Sequence, residues 1–114
     1  MDPWCEIVTR SQKVRTKHLD GAGKTPMWNE SFTLDVKYIG DDMQINVYDQ
    51  DITCSDTVGK TSIKISALCA NHGIDDWFPI QWKGRQSGQV HLKSNWTPHG
   101  TTAPGNGGIA AQAM

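Results

Sequence analysis

The sequence predicts an all-β protein, an antiparallel Greek-key β-sandwich of about seven strands with one short helical turn and a disordered C-terminal tail. Two observations lead to this fold class. Short runs alternate apolar and polar residues, and turn-forming residues recur roughly every 8–12 residues. A length of 114 residues suits one domain with a single core. We therefore expect a sandwich domain over residues 1–98 and a disordered tail over 99–114.

The strands are predicted from period-two alternation between turn signals. The clearest run begins at Met43, and with Ile45 and Val47 it places three apolar residues on one face. The turn signal Gly40-Asp41-Asp42 comes directly before it. By the same reasoning the predicted strands cover 4–9, 13–18, 30–36, 43–48, 57–65, 76–82 and 89–96.

Two further segments complete the prediction. Residues 66–72 can form a turn or two of helix, which Gly73 ends. From Thr97 onward the composition is Gly, Ala, Thr and Pro with almost no apolar bulk, which is typical of disorder.

Composition excludes several classes of function. The formal net charge is −1 and the pI is near 6.4, so the chain lacks the overall basic character that drives nucleic-acid binding. No signal peptide or membrane span is recognisable, and three cysteines at no known spacing do not suggest a disulfide framework. A reduced, cytoplasmic setting is the default expectation.

The segment 48–59 is the most informative part of the chain, because it crowds Asp49, Asp51 and Asp56 into a short loop after a strand. Such carboxylates repel one another unless a cation lies between them, and Ca²⁺ prefers oxygen ligands. An EF-hand is excluded because Cys54 and Lys60 occupy the positions of its required Gly and Glu. An ordinary Asp-rich turn remains the alternative.

Motifs for nucleotide binding and catalysis are incomplete. The segment 21–25 resembles the end of a phosphate-binding loop, but His18 stands where that motif needs Gly. Cys69 and His72 offer a thiol and an imidazole without an orienting third group, and His91 stands alone on a strand. We therefore expect a protein that is not an enzyme.

Four motifs, in the same order along the chain, resemble those of C2 domains of type II topology, which are calcium-dependent phospholipid-binding β-sandwiches. They are Asp2-Pro3-Trp4, Pro26-Met27-Trp28-Asn29-Glu30-Ser31-Phe32, Asp49-x-Asp51 with Asp56-x-x-Gly59, and Trp77-Phe78-Pro79-Ile80 with Ser87-Gly88-Gln89-Val90-His91-Leu92. The resemblance implies that carboxylates hold Ca²⁺ at one end of the sandwich and that anionic phospholipids of the cytosolic leaflet are the partner. The implied ligands are Asp2, Asp49, Asp51 and Asp56, with the backbone carbonyls of Trp4 and Gln50.

The chain departs from the family pattern at three points. The match starts inside the first calcium loop, so we expect the strand before that loop to be absent. The spacing from Asp51 to Asp56 is one residue shorter than usual, and Thr25 replaces the usual Asn before Pro26. The alternative function is therefore a calcium-independent protein-protein interaction module on a degenerate C2 scaffold.

Two features predict where a membrane is contacted. Ile52 lies near the loop tip between two carboxylates, where it either inserts apolar surface into lipid or is an ordinary exposed loop residue without a role. Lys13, Arg15 and Lys17 alternate along a strand and share one face, similar to a lysine cluster that binds phosphoinositide head groups in protein-kinase-C-like members. A charged edge strand that only prevents aggregation is the alternative for the second feature. We expect reversible, peripheral membrane association.

Overall fold

The computed structural model describes residues 1–19, 21 and 25–96, and the backbone of 107–113. All seven predicted strands are present, with ends that differ by a few residues from the predicted ones. The elements are β1 Pro3–Val8, β2 Lys13–Arg15, β3 Glu30–Leu34, β4 Asp42–Gln50, β5 Ser55–Lys64, α1 Ile65–Cys69, β6 Asp75–Trp82, β7 Arg85–Asn95 and β8 Gly107–Ala113.

Antiparallel pairing connects the strands in the order β2-β1-β4-β5-β6-β7-β8-β3. The ladder pairing between β5 and β6 is confined to one residue pair, Lys60 with Gln81. The ladder is therefore narrow at this point, and β2-β1-β4-β5 and β6-β7-β8-β3 form the two layers of an antiparallel sandwich. Apolar side chains from both layers meet between them, as the alternating pattern predicts.

The core is built from every second residue of the central strands. In β4, Met43, Ile45 and Val47 are buried, which confirms the face predicted from the sequence. Val90 and Leu92 of β7 are buried from the opposite layer at the same two-residue spacing. Burying these side chains is the main favourable term for the fold.

The helical turn ends at Gly73 as predicted. Helix α1 is followed by a 3-10 turn over Ala70–His72, and the amide of Gly73 donates to the carbonyl of Ala70 at 3.0 Å. Gly73 has φ of +145°, and a Cβ there would lie 1.9 Å from the backbone oxygen of Ser94. Glycine is required at this position because no side chain fits between the turn and β7.

Strand β8 is the feature that the sequence did not predict. Disorder was expected over 99–114, whereas Gly107–Ala113 pairs antiparallel with β7 on one side and β3 on the other. Residues 99–106 and Met114 lie outside the described residues. The physical reason for the difference is that hydrogen bonding on both edges can hold a segment whose composition alone favours no strand.

Candidate functional site

The acidic end of the sandwich is built on the hairpin between β4 and β5. Asp49 lies directly opposite Asp56 in the ladder, and the Asp51 amide donates to the carbonyl of Cys54 at 2.7 Å. The observed loop is therefore shorter than the predicted one, because Asp56 lies in β5. One extra residue in β5 sets this register, because Val47 pairs with Gly59 while Tyr48 pairs with Thr57.

The start of the chain brings the fourth carboxylate to the same end. Pro3 of β1 pairs with Asp49 of β4, so Asp2 lies beside the hairpin. The amide of Asp2 donates to Oδ1 of Asp49 at 2.9 Å, and the amide of Gln50 donates to the carbonyl of Asp2 at 2.9 Å. Asp2, Asp49 and Asp56 therefore come from three segments that the β1-β4-β5 ladder places side by side.

Backbone amides already hold three of these carboxylates. Asp2 accepts from the amide of Gly21 at 2.7 Å, Asp49 accepts from that of Asp2, and Asp51 accepts from that of Ile52 at 2.7 Å. Within the part of the chain that the structure describes, no three His, Cys, Asp or Glu side chains are grouped closely enough to hold a metal ion. The carboxylates lie at the same end of the sandwich, but three of them accept hydrogen bonds from backbone amides.

The sequence did not predict the contacts that join Trp4 to Tyr48 and to the acidic hairpin. The indole Nε1 of Trp4 donates to Oγ of Ser55 at 3.3 Å, and that hydroxyl donates to Oε1 of Gln50 at 3.0 Å. The rings of Trp4 and Tyr48 stack with centroids 4.6 Å apart. Burial raises the pKa of Tyr48, with smaller contributions from Glu6 and Cys5, so this ring stays neutral. No local pattern could have paired Trp4 with a residue 51 positions away.

Ile52 is a large apolar residue that the fold leaves in solvent. It lies at the tip of the β4–β5 hairpin, and 98% of its surface is exposed. An apolar side chain held in water costs free energy, which burial in lipid would recover. Met27, which is also exposed, is a second large apolar side chain in the segment before β3.

The three predicted cations do share one face. Lys13, Arg15 and Lys17 are all exposed, whereas Thr16 between them is buried and its hydroxyl accepts from the amide of Cys5 at 2.9 Å. Because the amide of Thr16 also donates to the carbonyl of Cys5, alternation continues beyond the end of β2. The spacing of the cations is therefore set by the pairing of this segment with β1.

An acidic and an aromatic side chain contact two of the cations on this basic face. Lys13 Nζ lies 3.8 Å from Oε2 of Glu6, and the guanidinium of Arg15 lies 4.2 Å above the ring of Trp4. Trp4 thus contacts the basic face on one side and, through Ser55, the acidic hairpin on the other. The two predicted sites meet at one tryptophan.

The cysteines and histidines that the structure describes are not arranged as a nucleophile with a base and an orienting group. Burial, with help from Glu6, raises the pKa of Cys5 to about 12, and burial also raises the pKa of Cys69. A raised pKa lowers the thiolate fraction at neutral pH, which weakens a nucleophile. His91 contacts the carboxylate of Asp75 and stacks on Trp77 with centroids 4.9 Å apart, on the outer face of the sandwich.

Comparison with known proteins identifies the class to which this sandwich and its acidic hairpin belong. The family model of the C2 domain matches residues 1–80. The chain is therefore a member of the C2 domain family, as the four motifs indicated. Among the described residues, no helix is both long enough and apolar enough to cross a membrane.

The relatives that match this chain are longer than it, to different extents. Human extended synaptotagmin-3 is 28% identical over 96 residues, which is 83% of this chain and 10% of that protein. The Arabidopsis thaliana 16 kDa phloem protein 2 is 32% identical over 75 residues, covering 65% of this chain and 51% of that protein. The chain thus spans about a tenth of the length of the extended synaptotagmins it matches.

Solved structures agree on the fold. A structure of two C2 domains of extended synaptotagmin 2 superposes with a TM-score of 0.63 at 19% identity, covering 97% of this chain and 32% of that chain. A calcium-bound structure of the same domains gives a TM-score of 0.63 over 34% of its chain. At this identity the likeness concerns the fold, and the ligand belongs to the other protein.

Proposed function

We propose that this C2 domain binds anionic phospholipid membranes in a calcium-dependent manner and so associates peripherally and reversibly with the cytosolic leaflet. The observation that carries the proposal is the convergence of carboxylates from three chain segments beside a fully exposed Ile52. No catalytic role is proposed, because the acidic end supplies ion ligands and an apolar tip but no activated nucleophile.

The donor set fits Ca²⁺ by its chemistry. Asp49 supplies carboxylate oxygens from the end of β4, and Asp51 supplies them from the turn that follows. Asp56 supplies them from β5, and Asp2 from the segment before β1. Asp2 accepts the amide of Gly21 and Asp51 that of Ile52 through one oxygen each, and a carboxylate has a second oxygen to offer to an ion. A rotamer change that broke one of these charge-assisted bonds would lower calcium affinity, since each is worth ~1.5–3 kcal/mol. Bound Ca²⁺ would supply positive charge and open coordination positions for phosphate oxygens.

Electrostatics explains why binding would depend on the ion. Without it, the four carboxylates carry about four negative charges that repel an anionic leaflet. Neutralising them removes the repulsion and lets Ile52 approach the lipid. Lys13, Arg15 and Lys17 then add attraction along the side of the sandwich, since each cation near an anionic surface contributes ~1 kcal/mol.

The competing function is a calcium-independent protein-protein interaction module. One specific observation favours it: Asp2, Asp49 and Asp51 each accept a hydrogen bond from a backbone amide, which stabilises their charge in part without an ion. Such a module would bind a protein partner equally well with calcium or chelator. The two functions therefore differ in a measurable way.

Vesicle binding separates them. The chain should co-sediment with vesicles of phosphatidylcholine and phosphatidylserine in about 1 mM Ca²⁺, roughly 100 times a Kd of ~10 μM. It should remain in solution with chelator, with Mg²⁺, or with vesicles of phosphatidylcholine alone. Equal sedimentation with calcium and chelator would contradict the calcium dependence, and no sedimentation in either solution would favour the interaction module.

The basic face should contribute to affinity. Replacing Arg15 and Lys17 with Gln is expected to weaken binding to anionic vesicles by about 30-fold, because two cations at ~1 kcal/mol each are lost. Titration of vesicles at constant ionic strength measures the change.

The matched control removes the same charge at the other end of the sandwich. Lys37 and Lys64 lie beside Asp35 and Asp42 there, and replacing both with Gln should leave vesicle affinity nearly unchanged. If both pairs weaken binding equally, net charge alone accounts for the effect and the basic face has no particular role.

A further inference from the structure

The hairpin between β6 and β7 reaches the same end of the sandwich as the acidic hairpin. Lys60 of β5 pairs with Gln81 of β6, and from this pair β5 leads back to its first residue while β6 leads on to its last. Three residues further in that direction lie Gly84 on one chain segment and Thr57, near the start of β5, on the other. Residues 82–85, hereafter the basic hairpin, therefore lie beside the acidic hairpin, on the side away from β2.

Three cations surround one exposed indole at the basic hairpin. Lys83 follows Trp82 in the chain, and Arg85 pairs with Trp82 across the turn. Nζ of Lys60 lies 5.8 Å from the centroid of the same ring. The three cations are exposed, as is Trp82 with 38% of its surface. In the part of the chain that the structure describes, no ion pair joins any of the three to a carboxylate, so their charge is uncompensated.

Exposed lysines at the opposite end of the sandwich are paired instead. Nζ of Lys37 lies 2.6 Å from a carboxylate oxygen of Asp35, and that of Lys64 lies 3.1 Å from one of Asp42. A neighbouring carboxylate cancels most of the field that such a lysine presents to an anionic partner. The positive charge that is available to an anion is therefore concentrated beside the acidic hairpin.

The turn geometry gives no reason for a lysine in the basic hairpin. Lys83 has φ of +54° and Gly84 has φ of +77°, so both turn residues are left-handed. A two-residue turn of this kind favours Asn-Gly, whereas a lysine in the left-handed region costs free energy. Lys83 is thus unfavourable for the local fold, and contact with an anion accounts for it.

Packing against β5 fixes the position of the basic hairpin. Strand β7 carries one extra residue, Ser87, close to the turn. A Cβ on Gly59 would clash with Oγ of Ser87 and with Ile80, so a glycine is needed for β5 to approach this bulge. Asp56 lies three residues before Gly59 in the same strand. The acidic carboxylate and the basic hairpin therefore share one rigid support.

The level of the basic hairpin matches the headgroup layer of a membrane. Ile52 extends beyond it by about three to four residues of the β4–β5 hairpin, or roughly 10–13 Å. A headgroup layer is ~5–7 Å thick, and long Lys and Arg side chains extend across the remaining distance. When Ile52 reaches the acyl chains, the three cations are within reach of phosphates, and Trp82 lies where indoles favour the boundary between water and lipid.

We propose that the basic hairpin and Lys60 form a second lipid-binding site, which holds the phosphates of anionic headgroups while the indole of Trp82 lies in the headgroup layer. The inference rests on the proposed function, since Ile52 and the acidic hairpin bring this end of the sandwich to the leaflet. Cations then contact lipid on both sides of the acidic hairpin, those of β2 on one side and the basic hairpin on the other. Charge-assisted hydrogen bonds to phosphate supply the attraction.

Removing the charge of the basic hairpin tests the site without weakening its turn. Lys83→Asn with Arg85→Gln creates the favoured Asn-Gly turn and removes two cations. We expect affinity for phosphatidylserine vesicles in Ca²⁺ to fall by about 30-fold while the Tm does not decrease. The control with Lys37 and Lys64 both replaced by Gln loses the same charge and should keep its affinity. Vesicle affinity that the first variant retains would overturn the site in favour of an acidic protein surface as its partner.

Two exposed indoles on one strand test the role of Trp82. Trp82 lies at the end of β6 near the acidic hairpin, and Trp77, which is also exposed, lies near the other end of that strand. We expect Trp82→Ala to weaken vesicle binding and Trp77→Ala to leave it unchanged. Equal binding of the two variants would overturn the placement of Trp82 in the headgroup layer.

The same vesicle titrations separate this inference from the proposed function. If the unmodified chain binds no vesicles in calcium or chelator, both are overturned. If it binds equally in both solutions and the variant of Lys83 and Arg85 binds more weakly in each, calcium dependence is contradicted and the basic hairpin is supported. If binding requires calcium and this variant binds as the unmodified chain does, the basic hairpin alone is overturned.

Discussion

Replacing Asp49 and Asp51 together with Asn is expected to abolish calcium-dependent vesicle binding while leaving the fold intact. The amide oxygen of Asn can still accept from the amides of Asp2 and Ile52, so the hairpin keeps its hydrogen bonds. Two of the four negative charges are lost, and we expect calcium affinity to fall by at least about a hundredfold, since ligand charge tunes such sites over several decades. Calcium titration calorimetry and vesicle co-sedimentation measure the two effects.

The control for this pair makes the same charge change far from the site. Asp35 and Asp42 lie at the opposite end, where they contact Lys37 and Lys64, and replacing both with Asn should leave calcium-dependent binding intact. Binding that survives the substitutions at Asp49 and Asp51 would count against the calcium mechanism and support the interaction module.

Replacing Trp28 with Ala is expected to cost ~3–5 kcal/mol of the free energy of unfolding. Trp28 is 6% exposed, and its indole nitrogen donates to the carbonyl of Pro3 at 3.0 Å. Removing the ring enlarges a cavity that it already lines and leaves that carbonyl without this donor. Urea denaturation followed by circular dichroism measures the loss.

Trp77 provides the comparison, because 49% of its surface is exposed on the outer face. Its replacement by Ala removes a stacking contact with His91 and should cost less than about 1.5 kcal/mol. If the two substitutions cost the same, Trp28 does not anchor the core.

Alternation made most of the strands predictable. Met43, Ile45 and Val47 are apolar at every second position, and one buried face is the simplest structure that satisfies such a pattern. Gly73 marked the end of the helical turn for an equally local reason, a backbone conformation that other residues adopt at a cost. Features with a local physical cause are the ones that a single sequence reveals.

Two features of the fold depend on pairing between distant segments, which local sequence patterns do not reveal. Asp56 belongs to β5 because Asp49 pairs with it across the hairpin, although Ser55-Asp56 alone favours a turn. Gly107–Ala113 lacks strand propensity and is held by β7 and β3, which lie far away in sequence. In both places tertiary hydrogen bonding outweighs local preference.

The family pattern led us to expect the four carboxylates at one end of the sandwich but did not reveal their contacts, and their role as calcium ligands stays a prediction. Asp2, Asp49, Asp51 and Asp56 reach the same end of the sandwich because β1 and β5 flank β4. Spacing could not reveal that the amides of Gly21 and Ile52 occupy two of these carboxylates, since Gly21 meets Asp2 only in the folded chain. The link from Arg15 through Trp4 to Ser55 is hidden for the same reason.

Thermal melting with chelator, with 1 mM Mg²⁺ and with 1 mM Ca²⁺ tests most directly whether the acidic end binds calcium. For a Kd of ~10 μM, 1 mM Ca²⁺ adds about 2.7 kcal/mol to the free energy of unfolding. For a domain of this size that corresponds to a rise in Tm of roughly 10 °C. We expect this rise with Ca²⁺ alone, and its absence when Asp49 and Asp51 are both Asn. A Tm that is the same in all three solutions would contradict calcium binding at the acidic end.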